Sequence, residues 1–201
     1  MNEARGPLTI RTLSGDEIGE ALDDLARLRI TVFREWPYLY DGDMDYERRY
    51  LSRFAGSDGA VVVGAFDGGR MVGASTASPL GDHFSEFSEP LAKAGYDPDR
   101  LFYLSESVLL EEWRGGGVGV RFFEEREKAA IDQGFRETVF CGVVRPDDHP
   151  MRPDGYTPLD GFWRNRGYAP MEGVACRFSW RDIGDREETE KPLQFWSKTL
   201  D

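Results

Sequence analysis

The 201-residue sequence has few cysteines and few histidines: Cys141 and Cys176, His83 and His149. Two cysteines so far apart make no disulfide framework, and no CxxC or comparable metal-ligand spacing occurs. Both thiols sit in apolar, strand-like runs, which predicts two buried free thiols. Basic residues are also scarce, 25 Lys and Arg against 37 Asp and Glu, for a formal net charge of −12. So negative a surface repels phosphate backbones and anionic headgroups, which argues against nucleic-acid and membrane partners. Cationic or neutral substrates are easier to reconcile with it. No apolar run approaches transmembrane length, and the N-terminal MNEARGPLTI lacks a signal-like apolar core. The expectation is a soluble, cytoplasmic protein with no internal repeat.

What is present is enough for a sizeable core: 40% hydrophobic and 13% aromatic residues. Pro7–Leu13 reads as a strand. Ser14 and Glu17 have capping-box spacing, and Ile18, Leu22, Leu25, Leu28 and Val32 continue at helical spacing to about Arg34. Pro37 breaks that helix inside an aromatic stretch, and a second helix runs over about Asp43–Phe54 with Tyr46, Tyr50 and Phe54 on one face. Gly59–Phe66 and Arg70–Ser78 form a hairpin around Asp67-Gly68-Gly69. Pro79–Arg100 is irregular, with a short helix near Phe87–Ala94. Strand Leu101–Leu110 runs into a glycine cluster, followed by helix Gly117–Gln133 and strand Thr138–Val144. A proline-rich loop, Arg145–Pro158, leads to helix Leu159–Arg166, closed by Gly167. Gly173–Arg181 and Lys191–Thr199 are the last strands, and Asp182–Glu190 is a solvated turn. The order βααββ, βαβ, αββ predicts a single α/β (α+β) domain over residues 1–201 with a mixed sheet.

The segment richest in chemistry is Trp113-Arg114-Gly115-Gly116-Gly117-Val118-Gly119-Val120, between a strand and a helix. Amides at the start of a helix lack partners inside it, and glycines let such a loop close around an anion. A pyrophosphate cradle follows. Without a Lys-Ser/Thr it is not a Walker A loop, and its glycine spacing is not that of a dinucleotide loop. The alternative is a turn that only packs helix against strand.

Arg114-x-x-Gly117-x-Gly119 resembles the Arg/Gln-x-x-Gly-x-Gly/Ala signature of the GNAT superfamily of acyl-CoA-dependent N-acyltransferases. Leu109–Gly115 resembles that family's approach to the loop, Phe162–Tyr168 its late helix, and the element order agrees from about Leu8 to Leu200. The resemblance implies a mostly antiparallel sheet of about seven strands, flanked by helices and splayed between the fourth and fifth. It implies acetyl-CoA as co-substrate and no metal. The cofactor would be held by the Gly115, Gly116, Gly117, Val118, Gly119 and Val120 amides next to Arg114, by backbone near Leu109 and Leu110, and by Trp163 packing on pantetheine. An amide near Leu109 would serve as oxyanion donor. It also implies direct attack by an amine, with the protein orienting and deprotonating it.

By the same resemblance Glu106, on the strand before the loop, is the general base. Alternation sets it on one face with Phe102 and Leu104, opposite Ser105 and Ser107. Its structural alternative is an ion pair with an arginine. Trp163 stands where the family often has an acidic tyrosine, so Tyr156 is the candidate general acid, with Tyr168 or water as substitutes. In the family the connection between the first two helices walls the acceptor site; here Glu35, Tyr38 and Tyr40 suit an amine-bearing ligand. Arg145, His149 and Arg152 are candidate ligands for a carboxylate or phosphate. The expected function is acetylation of a primary amine on a small molecule, by a protein that forms a homodimer. An acyl-CoA-binding module without efficient turnover is the alternative, and an O-acyltransferase a third.

Overall fold

The computed structural model describes residues 8–13, 15–82 and 85–201. Pro7, Ser14 with its capping box, and His83 lie outside them. Seven strands form one sheet in the order β1-β2-β3-β4-β5-β7-β6. In chain order these are β1 (Thr9–Leu13), β2 (Val61–Asp67), β3 (Arg70–Pro79), β4 (Leu101–Leu109), β5 (Glu137–Val143), β6 (Ala169–Trp180) and β7 (Thr189–Thr199). The helices are α1 (Asp16–Phe33), α2 (Met44–Ala55), α3 (Ser85–Lys93), α4 (Val118–Asp132) and α5 (Asp160–Arg164).

All strand pairs are antiparallel except β4 and β5, which are parallel and pair only over Leu101–Tyr103 and Glu137–Val139. Beyond Tyr103 and Val139 the two strands part. β4 stays on β3, and β5 stays on β7 as far as Val143. A crossover between parallel neighbours needs a helix, and α4 supplies it.

The period-3.6 pattern of α1 buries Ile18, Leu25 and Leu28 against Val62, Ala74 and Val108 of the sheet. On the opposite face, Phe122 and Phe123 of α4 pack with Phe102, Leu104 and Phe140. α3 and the connection between α1 and α2 cover β5, β6 and β7. Asp43 caps α2 by accepting from the Tyr46 amide at 2.9 Å.

Most boundaries shift by one or two residues, and two of the departures have a plain physical reason. β6 begins at Ala169 rather than Gly173, because Ala169 and Pro170 pair with β7 before a bulge; proline is tolerated on this edge strand. α5 is shorter than expected, ending at Arg164 ahead of Gly167, whose φ of 87° needs no Cβ. The turn after β6 is not wholly solvated. Asp182 is buried, with Arg145 at 2.7 Å and Lys191 at 3.3 Å.

Candidate functional site

The site is built where β4 leaves β5. The register between β3 and β4 shifts between Thr76 and Ala77: Thr76 faces Glu106 and Ala77 faces Leu104, so Ser105 is the extra residue of a bulge. One extra residue inverts alternation. Phe102 and Leu104 face α4, while Glu106 turns to the other face, toward α1. The expectation that Glu106 shares a face with Leu104 and Phe102 is corrected by this bulge. Ser107 is indeed opposite Glu106: its hydroxyl accepts from Arg126 of α4 at 3.0 Å.

Glu106 is 9% exposed, and its Oε2 lies 2.7 Å from Arg29 Nη1. The same guanidinium reaches Glu47 of α2, Nε to Oε2 at 2.5 Å, and lies over the Tyr50 ring at 4.4 Å. Burial disfavours the Arg29 charge, but Glu106 and then Glu47 outweigh it and hold the guanidinium protonated more firmly than usual. On the other side of β4, Arg126 is 2% exposed and donates to the carbonyls of Thr76 and Glu106 at 3.3 and 3.2 Å. It thereby covers backbone left unpaired at the bulge. Burial lowers its pKa to about 10, which keeps it charged at neutral pH.

Past β4, Gly115 and Gly117 have φ of 81°, the left-handed region that glycine enters freely. A Cβ at Gly115 or Gly117 would meet nothing within 4 Å, and one at Gly116 only the Trp113 carbonyl at 3.9 Å. This is an open cradle at the N-terminus of α4, where unpaired amides and the helix dipole favour an anion. The Val120 amide does not contribute: it donates to the Gly117 carbonyl at 3.0 Å. Leu110 is likewise engaged, its amide with Val72 O and its carbonyl with Trp113 N, each at 3.0 Å. Because successive amides point to opposite sides of a strand, the Leu109 amide faces the splayed side.

Several residues singled out in the sequence serve the scaffold. Arg114 forks onto Glu35 at 2.8 and 3.0 Å and donates to Leu109 O at 3.0 Å, tying the loop to the end of α1. Glu35 is therefore an anchor of the loop. Trp163 packs against Phe140 and Trp196, with ring centroids at 5.1 Å in both cases, and lies over Gly142. The Tyr168 hydroxyl is held by Thr138 at 3.0 Å and Glu127 at 2.9 Å in the core on the α4 side, which removes it as a substitute acid.

Arg145, His149 and Arg152 do not converge on an anion. Arg145 donates to Pro37 O, Tyr38 O and both oxygens of Asp182. Arg152 pairs with Asp147, and His149 Nδ1 accepts from the Met151 amide at 3.2 Å.

Tyr38, in the connection between α1 and α2, is held from three sides. Its carbonyl is fixed by Arg145 at 2.7 Å and by Trp180 Nε1 at 3.0 Å, and its ring packs on Phe33 at 4.5 Å. Burial raises its phenol pKa, and Cys141 of β5, Glu106 of β4 and Tyr156 add to the rise. Tyr38 thus sits where this connection meets Trp180 of β6 and Arg145 of the proline-rich loop. Tyr156 stands edge-on to Trp36 at 5.9 Å, and burial followed by Asp160 raises its phenol too. Tyr40 sits beside Tyr46, and burial and the Glu47 carboxylate raise its phenol.

Among the described residues, no group of three His, Cys, Asp or Glu is arranged to hold a metal, and both cysteines are buried free thiols. No helix among them is long and apolar enough to cross a membrane.

Arg29, Glu47 and Arg126 were not anticipated from the sequence. The available signal was a charge at a core position: Arg29 four residues after Leu25, Glu47 four before Leu51, and Arg126 four after Phe122.

Comparison with known proteins agrees with this geometry. No curated protein matches the sequence. Among solved structures, the ribosomal-protein-alanine N-acetyltransferase from Brucella melitensis superposes with a TM-score of 0.61 at 16% identity, over 96% of this chain and 99% of that one. An aminoglycoside 6'-N-acetyltransferase complexed with coenzyme A gives 0.61 at 15% identity, over 96% and 97%. A GNAT-family acetyltransferase from Streptococcus pneumoniae gives 0.57 at 14% identity, over 97% and 100%. These likenesses establish the fold. The model of the acetyltransferase (GNAT) family matches residues 25–153, and the chain belongs to that family.

Proposed function

We propose that this protein is an N-acetyltransferase that moves an acetyl group from acetyl-CoA to a primary amine of a small molecule. One observation carries the reading: β4 parts from β5 beyond Tyr103, and that free length of β4 bears a buried carboxylate, Glu106, and leads into the open glycine loop. The cradle fits a pyrophosphate, because its glycines leave room on the loop surface and α4 presents its N-terminal dipole there.

In this reading the Gly115 to Gly119 segment holds the pyrophosphate, and the Leu109 amide faces the thioester as oxyanion donor. Arg114 acts through Glu35, fixing the loop. Glu106 takes the proton of the attacking amine as the N–C bond forms and the C–S bond breaks, and the departing thiolate is protonated by Tyr156 or by water. Tyr38 and Tyr40 line the acceptor side. The clamp of Arg145 on Pro37 and Tyr38, with Trp36 against His149 and Tyr156, narrows that side and favours a small acceptor over a protein tail.

Calorimetry with acetyl-CoA tests the first half. Gly116→Asp suits the control because Gly116 has ordinary φ and open space, so the fold tolerates a side chain that puts negative charge into the cradle. Binding in about the micromolar range, weakened at least about tenfold by the substitution, is the expected result. No binding to CoA or any acyl-CoA would overturn it. The second half needs a panel of amines: amino acids, polyamines, an aminoglycoside and a peptide with an N-terminal alanine. An acyl-CoA-binding module without turnover is the second reading, favoured by a tryptophan at position 163, packed on Phe140, and by the Tyr168 hydroxyl being engaged with Thr138. It predicts acetyl-CoA binding with no acetylated product.

A further inference from the structure

Glu47 has no part in the function proposed above, yet it is the most deeply placed carboxylate of the site. It is 0% exposed, its Oε2 meets Arg29 Nε, and the Tyr40 hydroxyl is directed at the same carboxylate. Arg29 Nη1 meets Glu106. One guanidinium therefore answers two buried carboxylates, from α2 and from β4.

Such an arrangement is costly as a structural device. A buried ion pair barely offsets its own desolvation, and a second carboxylate on the same cation leaves an excess negative charge. A single carboxylate facing a guanidinium accepts both prongs of the fork, the strongest geometry available to the pair. Here Glu47 meets Nε and Glu106 meets Nη1, so two carboxylates divide one positive charge between them.

The remaining charged and titratable neighbours complete the surroundings of Glu106. On α2, Tyr50 stacks under Arg29. From the connection, Tyr38 faces Glu106, and Tyr40 faces Glu47. On α4, Arg126 addresses the Glu106 carbonyl from the opposite face of β4. On β5, Cys141 lies beyond Tyr38, hydrogen-bonded to Tyr103 at 2.9 Å. The phenols are held protonated, so the local balance is set by Glu106, Glu47, Arg29 and, from behind the strand, Arg126.

We propose that Glu47 is a positioning residue for acetyl transfer: it holds one edge of Arg29, so that the arginine orients Glu106 without fully neutralising it. The inference rests on Glu106 being the general base. The acceptor attacks as the neutral amine, having lost its ammonium proton to water, and the one proton it sheds as the N–C bond forms passes to Glu106, whose guanidinium partner is shared with Glu47.

The test is Glu47→Gln, which keeps the shape and removes the charge. It is read by the pH profile of turnover with acetyl-CoA and the best amine of the panel. In Glu47→Gln the like charge beside Glu106 is gone while Arg29 keeps its own, so the acid-side limb of that profile should move to lower pH. Turnover at neutral pH should fall roughly three- to tenfold, with acetyl-CoA affinity within about twofold. A structural role alone would lower stability and leave the profile and turnover of the folded enzyme as they were. Should Glu47→Gln fail to fold, Glu47→Asp carries the test, since retraction by one methylene loosens its hold on Arg29 and should slow turnover at unchanged acetyl-CoA affinity.

A Glu47→Gln enzyme with native turnover and pH profile, beside a Glu106→Gln enzyme slower by a hundredfold or more, overturns the role of Glu47 and leaves the base standing. A Glu106→Gln enzyme as fast as the native one instead sinks Glu106 as base, and the inference with it.

Discussion

The guanidinium of Arg126, on α4, lies 3.2 Å from the carbonyl oxygen of Glu106, whose side chain leaves the opposite face of β4 toward Arg29. Two arginines from two layers thus hold one residue, one by its backbone and one by its carboxylate. Replacing Arg126 by Leu would strip the donor from the Thr76 and Glu106 carbonyls and from Ser107. The expected cost is about 2–4 kcal/mol in urea unfolding, together with slower turnover. A Lys there should not restore it, lacking the planar fork. A variant as stable as the native protein would show that solvent reaches the bulge.

Glu35 and Arg114 make an exposed pair, with side chains 43% and 41% accessible. Such pairs contribute about 0–1 kcal/mol. Glu35→Gln should therefore leave thermal stability nearly unchanged and leave the KM for the acceptor amine unchanged too. Any defect should show in acetyl-CoA affinity, through a looser Arg114 loop. A large rise in acceptor KM with intact cofactor binding would return Glu35 to the acceptor wall.

Seven of the eight tyrosines hold their phenol protons above the ordinary range, burial being the first cause for each. The folded state then binds more protons than the unfolded chain above pH of about 10. Stability is intact below that value and falls as pH rises past it. Phenolate absorbance should accordingly rise in one steep step that coincides with loss of circular dichroism. Gradual ionisation of most tyrosines in a folded protein would contradict this burial.

Asp182 behaves in the opposite sense. Burial opposes its charge, but Arg145 and then Lys191 outweigh that and hold the carboxyl below its ordinary value of 3.8. Its contribution to stability is present above that value and is lost as pH falls through the lower, folded one. Asp182→Asn should flatten this acid-side loss. It should also raise acceptor KM, because Arg145 would no longer be fixed against Pro37 and Tyr38.

The glycine cradle was legible because its chemistry is local: three consecutive glycines between a strand and a helix need no distant partner to be recognised. Glu106 was legible by position but not by direction, since alternation counts residues and the bulge at Ser105 adds one. Arg145 looked like an anion ligand because its partners are distant in sequence: Asp182 lies 37 residues away and Tyr38 more than a hundred. Arg29, Glu47 and Arg126 needed knowledge of which helix face meets which strand. A charge at an apolar position marks a buried partner, but only the sheet order names it.

The bulge has a further consequence for how this strand could change over evolutionary time. Ser105 is the residue that the ladder leaves over, so its loss would set Glu106 directly after Leu104, opposite Thr76 and Ala77, with both faces unchanged. What would reverse Glu106 is regular pairing: were Ser105 taken into the ladder as an ordinary strand residue, the acid would turn toward α4 and its aromatic core. The direction of this side chain is therefore a property of pairing rather than of length, and β4 can lose a residue there while the glycine loop nine residues downstream is inherited intact.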